Sequence, residues 1–385
     1  MKIALVAPHI FMQDKILSRV IFSPGFLVID LANELTNLGH EVTLFTPGQV
    51  ATKAQNQTAD LTLLQAELDA RGDDELSLLR KHPLTFISLA RAVQAELIAS
   101  AFERANDDQF DVVHVYMNEE ELGLSFRKLC TKPVVFTHHD PFNFTAKYRS
   151  IMPKHTDANW ISMSLAQRKT MPENTNWVGN VYHGLPDKLY VPVSEPTKDY
   201  LLYIGRIIEP KGVHLAIEAV REHNKTHSGT MRLKIAGKHY SGQKDSYWQK
   251  ILPSIDGQVI EYVGFVNDLH TKNELIGNAA GLIIPSVFDE PFGMVMIEAL
   301  ACGTPIIGLG SGAIPEVVKN NRTGFLAKKV FHGDELDVVA TTQNLVKAIG
   351  QLHLVDRRDC RNDFESRFTL RSMAESHAAT YEKLM

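Results

Sequence analysis

The chain has 385 residues, of which 44% are hydrophobic and 22% charged, and its formal net charge is −5. That length exceeds what one hydrophobic core usually serves, so two domains with a cleft between them are expected, and the composition is that of a packed enzyme, not of a disordered, collagenous or membrane-spanning chain. The acidic balance argues against broad nucleic-acid binding, which needs a basic face. Cys130, Cys302 and Cys360 are too few and too scattered for a disulfide framework or a structural zinc site, so a reducing cytoplasm fits best.

The opening MKIALVAP is too short an apolar run for a signal segment and reads as a buried strand, Ile3–Ala7. An amphipathic helix over Phe26–Leu38, stopped by Gly39, and a strand over Glu41–Phe45 complete a βαβ unit. Strand signals recur at Asp111–Tyr116, Pro133–Thr137, Asn159–Met163 and Asn176–Tyr182, with a helical stretch over Ala90–Ala105. Such alternation predicts a parallel sheet covered on both faces. Between Arg127 and Lys169 basic residues far outnumber Asp140 and Asp157, which reads as a solvated basic face or a surface for anionic groups. No run approaches the roughly 20 apolar residues a membrane helix requires, so any membrane contact is expected to be peripheral.

LPDKLYVPVSEPTKD, residues 185–199, has three prolines and no periodicity and reads as a linker. The pattern then restarts with strands at Tyr200–Gly205, Arg232–Ala236, Val259–Gly264, Gly281–Pro285 and Pro305–Leu309. Helices are expected at Val213–His223, Asp268–Ala279, Met294–Ala301 and, at the end, Leu370–Leu384. The expected division is therefore residues 1–190, 199–369 and a terminal helix over 370–385, with two Rossmann-like α/β domains.

Chemistry concentrates in VFDEPFGMVMIEALACGTP, Val287 to Pro305. The stretch follows an apolar strand, breaks at Pro291 and Gly293 and enters a helix at Met294, whose free amides suit a phosphate, so Phe292, Gly293 and Met294 are candidate donor contacts. Gly293 lets the backbone approach a ligand. Glu298 lies about 6 Å further along the axis, where a carboxylate can accept hydrogen bonds from a ribose diol, and Glu290 sits on the other side of the phosphates. In YLLYIGRIIEPKGVHLAI, Arg206 leaves a strand tip and Lys211 opens the next helix, placing two cations where charge develops on a departing diphosphate. VVFTHHDPFNF puts His138 and His139 at a strand end, and Ser23-Pro24-Gly25 opens a helix, where the Gly25 amide is expected to touch donor phosphates.

The Glu290-to-Glu298 segment resembles the Glu-x7-Glu motif of the retaining GT-B glycosyltransferases, the large family that includes sucrose, mannosyl and glycogen-type synthases. The resemblance implies a GT-B architecture, two facing domains with the C-terminal helix crossing back to the first. It also implies transfer from a nucleotide diphosphate sugar, UDP favoured over GDP, to a carbohydrate, lipid-linked or small-molecule acceptor, with retained configuration and no tightly bound cofactor or metal. By the same resemblance Glu290 contacts the transferred sugar, Glu298 the ribose, Arg206 and Lys211 the diphosphate, and His139 the sugar from the first domain. Backbone groups around Val266 would read the base. Phe26 stands where relatives often have a second glycine. Gly310 to Glu316 resembles a family loop whose default role is packing. A nucleotide-sugar epimerase, a phosphorylase and a non-catalytic nucleotide-sugar-binding module are the rivals. A dinucleotide dehydrogenase fails because neither opening strand is followed by G-x-G-x-x-G.

Overall fold

The computed structural model describes all residues but 21, 117–118, 228 and 240–246. The chain divides into two units, Met1–Tyr182 with Leu370–Met385, and His183–Thr369.

In the first unit the strands are β1 (Lys2–Val6), β2 (Glu41–Thr46), β3 (Gln55–Thr58), β4 (Val112–Tyr116), β5 (Val134–Thr137), β6 (Asn159–Ser162) and β7 (Trp177–Asn180). They form one parallel sheet in the order β3-β2-β1-β4-β5-β6-β7. The central strand β4, VVHVY, is buried throughout, as expected of a parallel strand covered on both faces. Its polar residue, His114, is accommodated because both ring nitrogens have partners, Nδ1 with the Tyr381 hydroxyl at 2.7 Å and Nε2 with Thr137 Oγ1 at 2.9 Å. Burial pushes that imidazole well below its usual range, so it is held neutral. Tyr381 lies on the closing helix Leu370–Glu382, which thus belongs to the first unit's core. Gly179 lets this helix approach β7, since a Cβ there would stand 2.8 Å from Thr380 Oγ1.

The helix Pro83–Asn106 is longer than expected and, by length and composition alone, is apolar enough to cross a membrane. Its Val93, Leu97, Ile98, Ala101 and Phe102 are nevertheless spent on the core, packed with Ala4, Val6 and Val113 of the sheet. The basic run after Arg127 is paired with carboxylates in part, at Arg127, Lys128, Lys132 and Lys147. Arg127 bonds Asp157, Lys147 bonds Glu121, Lys132 Nζ lies 2.5 Å from Asp108, and Arg168 is bonded to Ser162 and to the Gly179 carbonyl. Two of these acids, Asp108 and Glu121, lie outside the run, so a linear charge count could not register the neutralisation.

The second unit has strands β8 (Tyr200–Ile204), β9 (Arg232–Ala236), β10 (Ile260–Gly264), β11 (Gly281–Ile284), β12 (Ile306–Leu309) and β13 (Gly324–Ala327). Their order is β10-β9-β8-β11-β12-β13, again all parallel. Strand order reverses between β8 and β11, and in such sheets the loops at the carboxyl ends beside that reversal form the ligand-binding edge. Residues 185–199, read as a linker, are strapped to this unit. Leu185 N–H donates to the Phe368 carbonyl at 2.9 Å, Val191 N–H to Asn273 Oδ1 at 2.8 Å, and Arg361 to the carbonyls of Asp187 and Tyr190.

Candidate functional site

The loops of the second unit's carboxyl edge are stitched together by backbone hydrogen bonds. Gly205 N–H donates to the Ala236 carbonyl at 3.1 Å, Ile207 N–H to Lys238 at 2.9 Å, and Gly237 N–H to Gly264 at 2.9 Å. Gly237 is required by contact, because a Cβ there would fall 1.8 Å from the Gly205 carbonyl oxygen. This edge carries Arg206 at the end of β8 and Val266 just after β10. Arg206 is exposed and has no ion-pair partner among the described residues, while Val266 is half-buried beside Phe265. The Phe265 ring is 41% exposed, with Lys238 Nζ 4.4 Å from its centroid.

Lys211 is carried across the end of β11. Val287 N–H donates to the Pro210 carbonyl at 2.9 Å, and Gly212, at φ +71°, passes so near that a Cβ would fall 2.0 Å from the Pro285 carbonyl oxygen. This crossing puts the Lys211 amine 2.6 and 2.8 Å from the two carboxylate oxygens of Glu290. Ser286 Oγ donates to Glu290 Oε1 at 2.5 Å, and the whole Glu290 residue is 6% exposed. Behind it, Ala313 N–H donates to the Glu290 carbonyl at 2.8 Å, and Gly312, at φ +56°, lies against the Asp289–Glu290 backbone. The 310–316 loop therefore does more than pack: it fixes the position of Glu290.

From Glu290 the chain runs through Pro291 and Phe292 to Gly293, which adopts φ +97°, and the helix Met294–Ala301 follows with no side-chain cap. That conformation favours glycine, and the uncapped first turn leaves amides for an outside acceptor. The Phe292 side chain is buried, its ring 4.9 Å from that of His183, so the ring packs inside this unit. One turn into the helix, Glu298 is 7% exposed and accepts a hydrogen bond at Oε1 from Lys272 Nζ at 2.7 Å. Lys329 adds a buried cation near Glu290; its amine donates to the Val287 carbonyl at 2.5 Å, and burial holds its pKa below the usual lysine value.

In the first unit, His138 and His139 separate sharply. His138 is fully buried with Nδ1 2.6 Å from Glu120 Oε1, so it is an interior residue. His139 is half-buried, its ring 4.9 Å from that of Tyr116 at the end of β4. Gly25 departs from expectation. Its amide already donates to the Phe22 carbonyl at 3.0 Å, and a Cβ would stand 2.8 Å from Phe22 and 2.9 Å from Met12, so its smallness serves packing of the preceding loop.

Of the expected residues, Lys211 and Glu290 are in direct contact, and Arg206, Val266, Gly293, Met294 and Glu298 occupy the carboxyl-edge loops and the helix that follows them. Ser286, Lys272 and Lys329 were not anticipated, and Gly312 was read only as part of a packing loop. A polar residue directly after a buried strand is the one signal that would have pointed to Ser286.

Two family models match, Glycosyltransferase Family 4 over residues 25–204 and Glycosyl transferases group 1 over residues 188–336. Glycogen synthase of Mycobacterium tuberculosis is 40% identical over 126 residues, 32% of this chain, and the match spans only 29% of that relative's length. The putative glycosyltransferase YtcC of Bacillus subtilis is 22% identical over 79% of this chain and 80% of its own. Among solved structures, sucrose-phosphate synthase from Thermosynechococcus elongatus superposes with a TM-score of 0.70 at 17% identity, covering 100% of this chain and 99% of that one. Anabaena Alr3699/HepE in complex with UDP and glucose gives 0.66 at 17% identity, covering 100% of both chains. The two models overlap at residues 188–204 and together cover residues 25–336, so this chain belongs to the GT-B glycosyltransferases of family 4 and group 1.

Proposed function

We propose that the protein transfers a glycosyl group from a nucleoside diphosphate sugar, UDP favoured, to a hydroxyl of a carbohydrate, lipid-linked or small-molecule acceptor, with retention, in a cytoplasmic setting. The observation that carries this reading is the clamped Glu290 beside an uncapped helix tip, with Arg206 and Lys211 on the neighbouring loops. A diphosphate at that tip meets free amides and two cations, which stabilise the negative charge that grows as the glycosidic bond breaks.

Glu290 is suited to orienting the sugar and poorly suited to attacking it. Both of its oxygens accept from Lys211, and one also from Ser286, which lowers their nucleophilicity. The reading therefore involves no glycosyl-enzyme; the departing diphosphate takes the acceptor proton while acceptor and leaving group share one face. Glu298 addresses the ribose, backbone groups at Val266 the base, and His139 the sugar from the first unit. Gly25, with its amide engaged, contributes through packing. The role of Phe292 is confined to its backbone.

The test is a thermal-shift series with UDP, GDP and ADP and their glycosyl derivatives, followed by anomer-resolved NMR of the transfer or hydrolysis product. A ligand at 100 times its Kd stabilises the native state by about 2.7 kcal/mol. Failure of every nucleoside diphosphate to raise Tm, or a product of inverted configuration, overturns the reading.

A further inference from the structure

Lys272 lies on the helix Leu269–Asn278, which begins directly after the Val266 loop and is capped by Asp268 accepting from Thr271 N–H. Its amine reaches 2.7 Å from Glu298 Oε1, and the two side chains are 23% and 9% exposed. Beneath it lies Tyr190, whose ring centroid is 5.6 Å from Nζ. Burial, the charge of Glu298 and a hydrogen bond toward it push the Tyr190 hydroxyl up, so it stays a protonated donor beside the carboxylate. Glu298 Oε2 is buried with no hydrogen-bond partner among the described residues. The carboxylate is thus tethered at one oxygen and left with acceptor capacity at the other.

We propose that Lys272 is a positioning residue that sets the ribose selectivity of the nucleotide site: by tying Oε1 it fixes Glu298 so that Oε2 accepts from a ribose hydroxyl. It also neutralises a carboxylate that would otherwise repel a diphosphate bound at the tip of the same helix. This rests on the donor-site reading above. A carboxylate that accepts from a hydroxyl is left unsatisfied when that hydroxyl is missing, so the site discriminates ribose from dideoxyribose. In Lys272→Met the carboxylate loses its charged tether and keeps only the Tyr190 hydroxyl beside it, and its uncompensated charge opposes the diphosphate. Discrimination then falls, and overall affinity falls with it, most at low ionic strength.

The experiment measures calorimetric Kd values for the tightest-binding nucleoside diphosphate and its 2′,3′-dideoxy analogue, in the full chain and in Lys272→Met, Lys272→Arg and Glu298→Leu. The wild type is expected to prefer the ribose form by roughly tenfold or more. Lys272→Met should reduce that ratio to within about threefold, and Lys272→Arg should restore most of it. Retention of the full ratio in Glu298→Leu, which has no acceptor, overturns the donor-site reading. Loss in Glu298→Leu with the full ratio kept in Lys272→Met overturns the role of Lys272 alone. Should the Met variant not fold, Lys272→Gln, which keeps a donor without the charge, is read on the same ratio.

Discussion

Removing either partner of the Lys211–Glu290 pair should destabilise the second unit, and removing both should cost less than the two losses added together. The amine lies 2.6 and 2.8 Å from the carboxylate oxygens, and the side chains are 19% and 8% exposed. At an effective dielectric constant of ~20, unit charges ~3 Å apart attract by about 5 kcal/mol, much of it offset by the cost of taking both from water. Lys211→Met strands a buried carboxylate with Ser286 as its remaining donor in the pair's immediate surroundings, a loss of about 3 kcal/mol by the usual behaviour of broken buried pairs. Glu290→Gln keeps the shape and the Ser286 contact and should cost less, ~2 kcal/mol. In the double variant no uncompensated charge remains, so the summed cost should fall short of additivity by ~2 kcal/mol. Urea-dependent hydrogen exchange of the β11 amides measures this for the second unit alone. Additivity within ~0.5 kcal/mol would refute the argument that the pair acts as one electrostatic unit.

Gly312→Ala is expected to abolish most turnover without unfolding the chain. The new Cβ would fall 2.5 Å from Glu290 N in a backbone conformation of φ +56°, so the Asp289–Glu290 segment must move. A displacement near 1 Å at a site-bearing loop typically costs about 100-fold in rate, and wild-type donor hydrolysis would contradict the proposed role of this loop. His183, 5% exposed, has its pKa lowered by burial to about 4, below the unfolded value near 6.5. The unfolded chain therefore takes up a proton first as pH falls. Stability from this residue is complete above pH 6.5 and is lost as pH drops through about 4, in all about 3 kcal/mol. His183→Phe should flatten that part of the acid-denaturation profile; an unchanged slope would show that other groups set it.

Much of the skeleton is local in origin and therefore legible. The helix Met294–Ala301 and the strand Arg232–Ala236 have the bounds their residues predict, and the apolar cores of β1, β4, β11 and β12 announce themselves because central parallel strands are buried on both faces. The edge strand β3, QNQT, did not. It is polar and is held through side chains, Asn56 Nδ2 donating to the Leu44 carbonyl at 2.9 Å, so no apolar alternation marks it. The helix Arg357–Arg367 was missed because a short, strongly charged helix is stabilised by docking and carries little periodicity of its own, and Thr62–Arg71 was missed because only Leu64 and Leu68 of its ten residues are buried.

The motif residues show the same division. A loop that turns at Pro291 and Gly293 and enters a helix is written in consecutive residues, so the placement of Glu290 before the helix and of Glu298 one turn into it was legible in the sequence. That Lys211 grips Glu290, 79 residues away, depends on β8 and β11 being neighbours in the sheet. The roles of Ser286, Gly312 and Lys272 likewise arise only when the loops meet, as does the engagement of the Gly25 amide by Phe22. Periodicity records which face of an element is buried; which charge meets which across the carboxyl edge is decided by strand order and register, and these exist only once the sheet has formed.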